Sequence, residues 1–146
     1  MLKQGGFTMV EAVVAIALVG IGVSSTVAAL TQMNNFASVS RNATGAYAVV
    51  MNQIDKIQSD TPFNPQKGEV PAELTLGTSA TPNVSIYKDS ATNTIVSGTM
   101  TTTVTDDSTS WNGVSITRYR ATVAVTYRYL NRNYSFTMNT IRASDE

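Results

Sequence analysis

Gly6-Phe7-Thr8-Met9-Val10-Glu11 opens onto an apolar run, Ala12-Val13-Val14-Ala15-Ile16-Ala17-Leu18-Val19-Gly20-Ile21-Gly22-Val23, which continues through Ser24-Ser25-Thr26 to Val27-Ala28-Ala29-Leu30. Glu11 is the only charge in it. At about 1.5 Å per residue, a helix over 7–30 covers a hydrocarbon core of roughly 30 Å, so this stretch is read as a membrane span. An ordinary secretory signal has its basic residue before the apolar run and its small-residue cleavage site after it. Here the small residues Gly5 and Gly6 come first, in a short hydrophilic leader, 1–6, that also holds Lys3. Cleavage there keeps the apolar helix in the mature chain, and Lys3 on the cytoplasmic side follows the positive-inside bias. The alternatives are a simple signal anchor or a buried helix of a soluble fold.

An acidic group in a membrane helix is costly, about 2.5–3.5 kcal/mol for Asp at mid-helix, so Glu11 calls for a compensating charge. A cut after Gly6 creates one: the new ammonium on Phe7, four residues before Glu11 and on the same helical face. The pair can form within one chain. It can also form between the Glu11 of an incoming subunit and the terminus of one already assembled, which would set a filament register.

Outward from this segment, the polar part of the helix keeps helical spacing. Phe36, Ala43, Tyr47, Val50, Ile54 and Ile57 form one stripe, and no proline intervenes before Pro62. The reading is a continuous helix from about Phe7 to about Ser59, ended by Asp60-Thr61-Pro62 with Pro65 and Gly68 beyond, its stripe packed as a core face on a sheet. Residues 60–83 hold all four prolines and read as a connecting loop with one short strand around Leu74-Thr75-Leu76. Val84–Tyr87 and Thr94–Thr105 are β-branched and threonine-rich, which favours strands. Tyr119, Ala121, Val123, Val125, Tyr127 and Tyr129 alternate with Arg118, Arg120, Thr122, Ala124, Thr126 and Arg128, the period of a strand with one apolar face. Tyr134, Phe136 and Met138 continue that face on a return strand after a turn near Asn131-Arg132-Asn133. Helix first and strands after make an α+β fold: a long N-terminal helix, its first half transmembrane, packed by its second half on a C-terminal antiparallel β-sheet. The expected organisation is leader 1–6, transmembrane half 7–30, amphipathic half 31–59 and a loop-and-sheet region 60–146 that forms one globular domain with 31–59.

Composition narrows the chemistry. The 146 residues contain neither cysteine nor histidine, so disulfides, thiolate metal sites, thiol nucleophiles and the usual neutral-pH general base are all missing. No serine triad, phosphate loop or paired acid–base spacing can be assembled, and no enzyme, cofactor or metal is expected. Net charge is zero with 14% charged residues, so any anionic partner needs a local patch. Five of the six arginines, Arg118, Arg120, Arg128, Arg132 and Arg142, lie between 118 and 142 with no acidic residue among them. Arg118, Arg120 and Arg128 are a candidate basic surface for DNA phosphates, though they share the face opposite the tyrosines; a solvated strand face is the plainer reading. Asp106-Asp107-Ser108-Thr109-Ser110-Trp111-Asn112-Gly113 is oxygen-rich, as calcium loops are, but matches no EF-hand spacing and reads as a polar turn, with Trp111 capping the core or facing a partner.

Gly6-Phe7-Thr8-Met9-Val10-Glu11 ahead of an apolar helix resembles the cleavage and methylation segment of type IV prepilins and type II secretion pseudopilins. The resemblance implies that a membrane prepilin peptidase cuts after Gly6 and methylates Phe7, and that Glu11 is the family's retained assembly glutamate. It extends more weakly through Ala12–Gly22 and Ala46–Ile54 and is most like a minor pilin or minor pseudopilin; Ala28 stands where many major pilins have proline, and their C-terminal cysteine pair is absent. It implies a bacterial inner-membrane precursor, leader in the cytoplasm and globular domain outside, that moves into a periplasmic or extracellular filament of other pilin or pseudopilin subunits. Ala12, Ala15, Gly20 and Gly22 are the small residues expected to admit neighbouring helices. Gly20 and Gly22 each weaken the helix by about 1 kcal/mol relative to alanine. The alternative role is a filament-mounted binding module, an adhesin or DNA-uptake receptor, using the sheet.

Overall fold

A computed structural model describes residues 8–89 and 93–145; the expected cleavage site, Gly6 and Phe7, lies outside them. One α-helix, α1, runs Met9–Ser59. The chain divides by contact into two units, one ending at Val39 and one beginning at Ser40.

In the first unit α1 carries its apolar side chains outward all round. No residue of its most apolar stretch is buried within the chain, and the mean hydropathy there is 2.3. Residues Ala37, Ser38 and Val39 are half-buried.

In the second unit the remainder of α1 packs on a four-stranded antiparallel sheet of order β1-β2-β5-β6, where β1 is Gly77–Lys88, β2 Ile95–Asp106, β5 Arg118–Tyr129 and β6 Arg132–Ala143. A short hairpin, β3 (Thr109–Trp111) with β4 (Val114–Ile116), is inserted between β2 and β5. The core joins Ala46, Val50, Ile54 and Ile57 of α1 to Ile86, Val104, Ala121, Val123, Val125, Tyr119 and Tyr127 of the sheet, with Phe63 and Leu74 from the connecting segment. Each of these larger aliphatic and aromatic side chains contributes about 1.5–3 kcal/mol of gross burial. The alternation expected from Tyr119 to Tyr127 is therefore the core face of β5, and Tyr134, Phe136 and Met138 pack beside it from β6.

Several expectations are corrected. The buried line of α1 is Asn42, Ala46, Val50, Ile54 and Ile57, whereas Phe36, Ala43 and Tyr47 are exposed. The reason is close approach: a Cβ on Gly45 would lie 2.1 Å from the Ile86 carbonyl oxygen, so the helix meets the sheet through its small residues. Tyr47 instead lies at the margin, edge-on to Phe136 with ring centroids 5.4 Å apart. Leu74-Thr75-Leu76 is not a strand; Leu74 ends a 3₁₀ turn, Ala72–Leu74, that drives its side chain fully into the core. The loop expected over 60–83 is shorter, because β1 begins at Gly77 and passes Pro82 by a bulge between Thr81 and Val84. The β5–β6 turn is the two-residue loop Leu130-Asn131, not 131–133; both have positive φ, 47° and 60°, as a type I′ turn requires. The segment read as a polar turn is the β3–β4 hairpin, turning on Asn112-Gly113, again with positive φ at both.

Candidate functional site

The expected assembly residues fall in the first turns of α1. The Thr8 hydroxyl accepts the Glu11 backbone N–H at 3.3 Å, and the Thr8 carbonyl accepts Ala12 N–H at 3.1 Å, so Thr8 caps the helix. Glu11 is thereby fixed in the first turn, where the positive end of the helix dipole favours a carboxylate. Thr8-x-x-Glu11 carries the spacing of a capping box, a local signal in the sequence for the start of α1.

Beyond the cap, the hydroxyls that interrupt the apolar run are satisfied within the helix. Ser24 donates to the Gly20 carbonyl at 2.8 Å, Ser25 to Ile21 at 2.8 Å, Thr26 to Gly22 at 2.9 Å and Thr31 to Val27 at 3.0 Å. Such back-bonding lets polar side chains sit in an apolar medium, where an unmet hydroxyl would be costly. A Cβ on Gly20 or Gly22 would meet nothing within 4 Å, so neither glycine is required by a contact within the described residues.

The candidate basic surface is partly neutralised. Arg118 Nε donates to the Asp107 carbonyl oxygen at 2.6 Å and lies 3.3 Å from its carboxylate, which Arg120 Nη2 also reaches at 3.2 Å. These pairs are exposed and contribute at most about 1 kcal/mol. Arg128 donates to the Asn131 amide oxygen, at 3.5 Å. The tyrosines stay on the other face, Tyr127 stacked on Tyr134 with centroids 5.2 Å apart. Burial, then Tyr134, raises the Tyr127 hydroxyl above its usual range.

Arg142, grouped by sequence with the surface arginines, is buried and structural. Nη1 donates to the carbonyls of Ile57, at 2.7 Å, and Asp60; Nη2 donates to the Asp145 carboxylate at 3.0 Å, and the guanidinium lies 5.5 Å from the Phe63 ring centroid. These are the orphan carbonyls at the C-terminal end of α1. Asp145 Oδ2 accepts Phe63 N–H at 2.7 Å while Asp145 N–H donates back to Phe63 carbonyl at 2.9 Å, and Gln58 bonds Thr140 at 2.6 Å. The Phe63 N–H, then Arg142, holds the Asp145 carboxyl below its ordinary range. Thr140, Arg142 and Asp145 are thus laced to the end of the helix and the segment after it without cysteine.

In the loop weighed for calcium, Asp106 Oδ1 accepts Ser108 N–H at 2.8 Å, and Ser108 lowers the Asp106 carboxyl below its ordinary value. Asp107 is engaged by arginine, and no group of three potential metal ligands occurs among the described residues. Trp111 does not cap the core: it is 73% exposed on the hairpin, opposite the equally open Val114.

Residues 1–27 match the family described as the prokaryotic N-terminal methylation motif. No curated protein and no solved structure gives a significant match. The matched motif heads the apolar stretch of α1, the same helix that packs on the antiparallel sheet beyond Ser40. The match covers the head of the chain and agrees with the prepilin-type cleavage and methylation segment that Gly6–Glu11 resembles.

Proposed function

We propose that this protein is a minor pilin or minor pseudopilin, matured by a prepilin peptidase that cuts after Gly6 and methylates Phe7, and assembled through its apolar helix and Glu11. The observation that carries the reading is the pairing of a helix whose apolar half buries nothing within the chain with a carboxylate in its first turn. Before assembly, lipid covers that surface, with the leader in the cytoplasm and the globular domain outside. On assembly neighbouring helices replace lipid, and Ala12, Ala15, Gly20 and Gly22 admit close backbone approach. The Phe7 ammonium neutralises Glu11, in its own chain or in the next. Mature units are 7–30 for the membrane and filament core, and 31–59 with 60–146 for the exterior. The experiment is Glu11→Ala expressed in place of the native chain. Sheared filament material should lose the subunit while the membrane-bound chain keeps a folded sheet; unchanged incorporation contradicts the proposal.

A second reading, a filament-mounted binding module, draws support from the open Trp111–Val114 tip rather than from the neutralised arginines. Trp111→Ala should then weaken attachment to a surface or to DNA while leaving incorporation unchanged, and equal loss of both contradicts it.

A further inference from the structure

The charges of the second unit are divided by position. At the end where α1 enters it, Arg41 shares a hollow with Tyr87, and Lys88, next along β1, pairs with Ile95. The β5–β6 turn places Arg128 and Arg132 at the same end, since the β2–β5 register sets Gly98 opposite Tyr127 and carries Ile95 towards that turn. All four cations are exposed, and Asp89 is the one acid beside them among the described residues. The remaining charges of 40–146 are five basic and eight acidic, with Asp106, Asp107 and Asp145 at the opposite end of the sheet. The unit is neutral as a whole, yet one end carries a net charge of plus three.

That end is also tipped with apolar side chains that the core does not use. Leu130 is 53% exposed and Ile95 55%, while Tyr129 beside them is half-buried. Leu130 holds φ 47°, a left-handed conformation that asparagine adopts at lower cost, so the turn itself gives no reason for leucine. Apolar tips ringed by tyrosine, arginine and lysine have the chemistry of a bilayer interface, where the first two kinds enter the headgroup layer and the cations meet anionic lipid.

We propose that this end of the unit, tipped by Leu130 and flanked by Arg41, Lys88, Arg128 and Arg132, docks before assembly on the anionic headgroups of the bilayer that holds the apolar stretch of α1. The inference rests on the membrane reading given above. It needs only the covalent connection: Ser40 follows Leu30 by ten residues of helix, about 15 Å, which keeps the basic end near that bilayer whatever the angle between the two units. A second copy is the competing occupant, because its acidic end is complementary in charge. Anchored in the same bilayer, it is held by the same connection, with its acidic end the length of a twelve-residue strand, about 40 Å, from its own basic end. Charge complementarity between copies also gives the exposed Leu130 no role.

The chain has no cysteine, so a single fluorophore can be attached at Asn133→Cys, beside the β5–β6 turn, or at Ser110→Cys, on the hairpin at the opposite end. The full chain is reconstituted at one copy per lipid nanodisc, which removes the second copy, with a quencher carried on the lipid headgroups. The discs hold phosphatidylglycerol mixed with phosphatidylcholine, or phosphatidylcholine alone. In the anionic disc the probe at 133 should be quenched several-fold more than the probe at 110. Raising salt from about 0.01 M to about 1 M, which shortens screening from roughly 30 Å to 3 Å, should remove most of that difference, as should phosphatidylcholine alone. Arg132→Gln and Lys88→Gln, on separate strands, should each lower the ratio of docked to free domain about fivefold. Leu130→Asn should lower it too while leaving the domain at least as stable, so that lost contact is not lost fold. Equal quenching at 133 and 110, indifference to lipid charge and salt, or quenching at 133 that requires more than one copy per disc overturns the proposal. A chain that is not retained by the disc sinks the membrane reading as well, whereas a retained chain with no quenching at 133 sinks only the docking.

Discussion

Residues 9–36 and 40–57 belong to one helix yet stand in opposite relations to the rest of the chain. In the first stretch Met9, Val13, Ile16, Leu18, Ile21, Val27, Leu30 and Phe36 are each more than half exposed; in the second Ala46, Val50 and Ile57 have no exposure at all. Helical hydrogen bonding is the same in both, so secondary structure does not explain the difference. The second stretch meets its partners within 146 residues, through a face of small side chains that lets the sheet approach. The first has an apolar surface far larger than monomeric soluble proteins leave open, and only a medium or neighbours outside the chain can cover it.

Removing residues 1–30 breaks that comparison at its widest point. The remaining chain should leave the membrane fraction entirely and melt cooperatively within about 4 °C of the full chain, since the described core lies beyond Ser40. Aggregation with loss of the cooperative transition would mean that the first stretch also supports the domain. Arg142→Ala is the next largest effect. It strips the carbonyls of Ile57 and Asp60 and leaves the Asp145 carboxylate without its cation, though still bonded to the Phe63 N–H, a loss of about 3 kcal/mol. Thermal denaturation of the domain should show Tm at least about 10 °C lower, with membrane retention unchanged. Arg142→Lys should recover only part, because one ammonium cannot match the planar fork that reaches two carbonyls and a carboxylate. The smallest effect is a gain. Leu130 adopts φ 47° while half-exposed in the β5–β6 turn, so Leu130→Asn should stabilise the domain by about 0.5–1 kcal/mol in denaturant melts.

What could be read from the residues follows how local each cause is. Glu11 inside an apolar run, the limit of α1 before Pro62, and the alternation from Tyr119 to Tyr127 are set by neighbours in sequence, and the structure carries the helix end and the strand as expected. Val50, Ile54 and Ile57 of the buried face of α1 were legible from apolar spacing, but Asn42 and Ala46 were not, because the helix comes so close to Ile86 at Gly45 that space rather than apolar size decides which residues face the sheet there. Nor was the Arg142 lacing, whose acceptors are backbone carbonyls that no residue type marks. Asp107 sits eleven and thirteen residues from Arg118 and Arg120, the arginines it pairs with, so the basic bias looked stronger in sequence than it is in space.

The central claim is that leader removal supplies the charge that lets Glu11 enter an apolar core. Mass spectrometry of the N-terminal peptide, taken from the protein in its own cell envelope, tests it most directly. A peptide beginning at N-methylated Phe7 is the predicted result. Assembled, working protein that still carries Met1–Gly6 would contradict it.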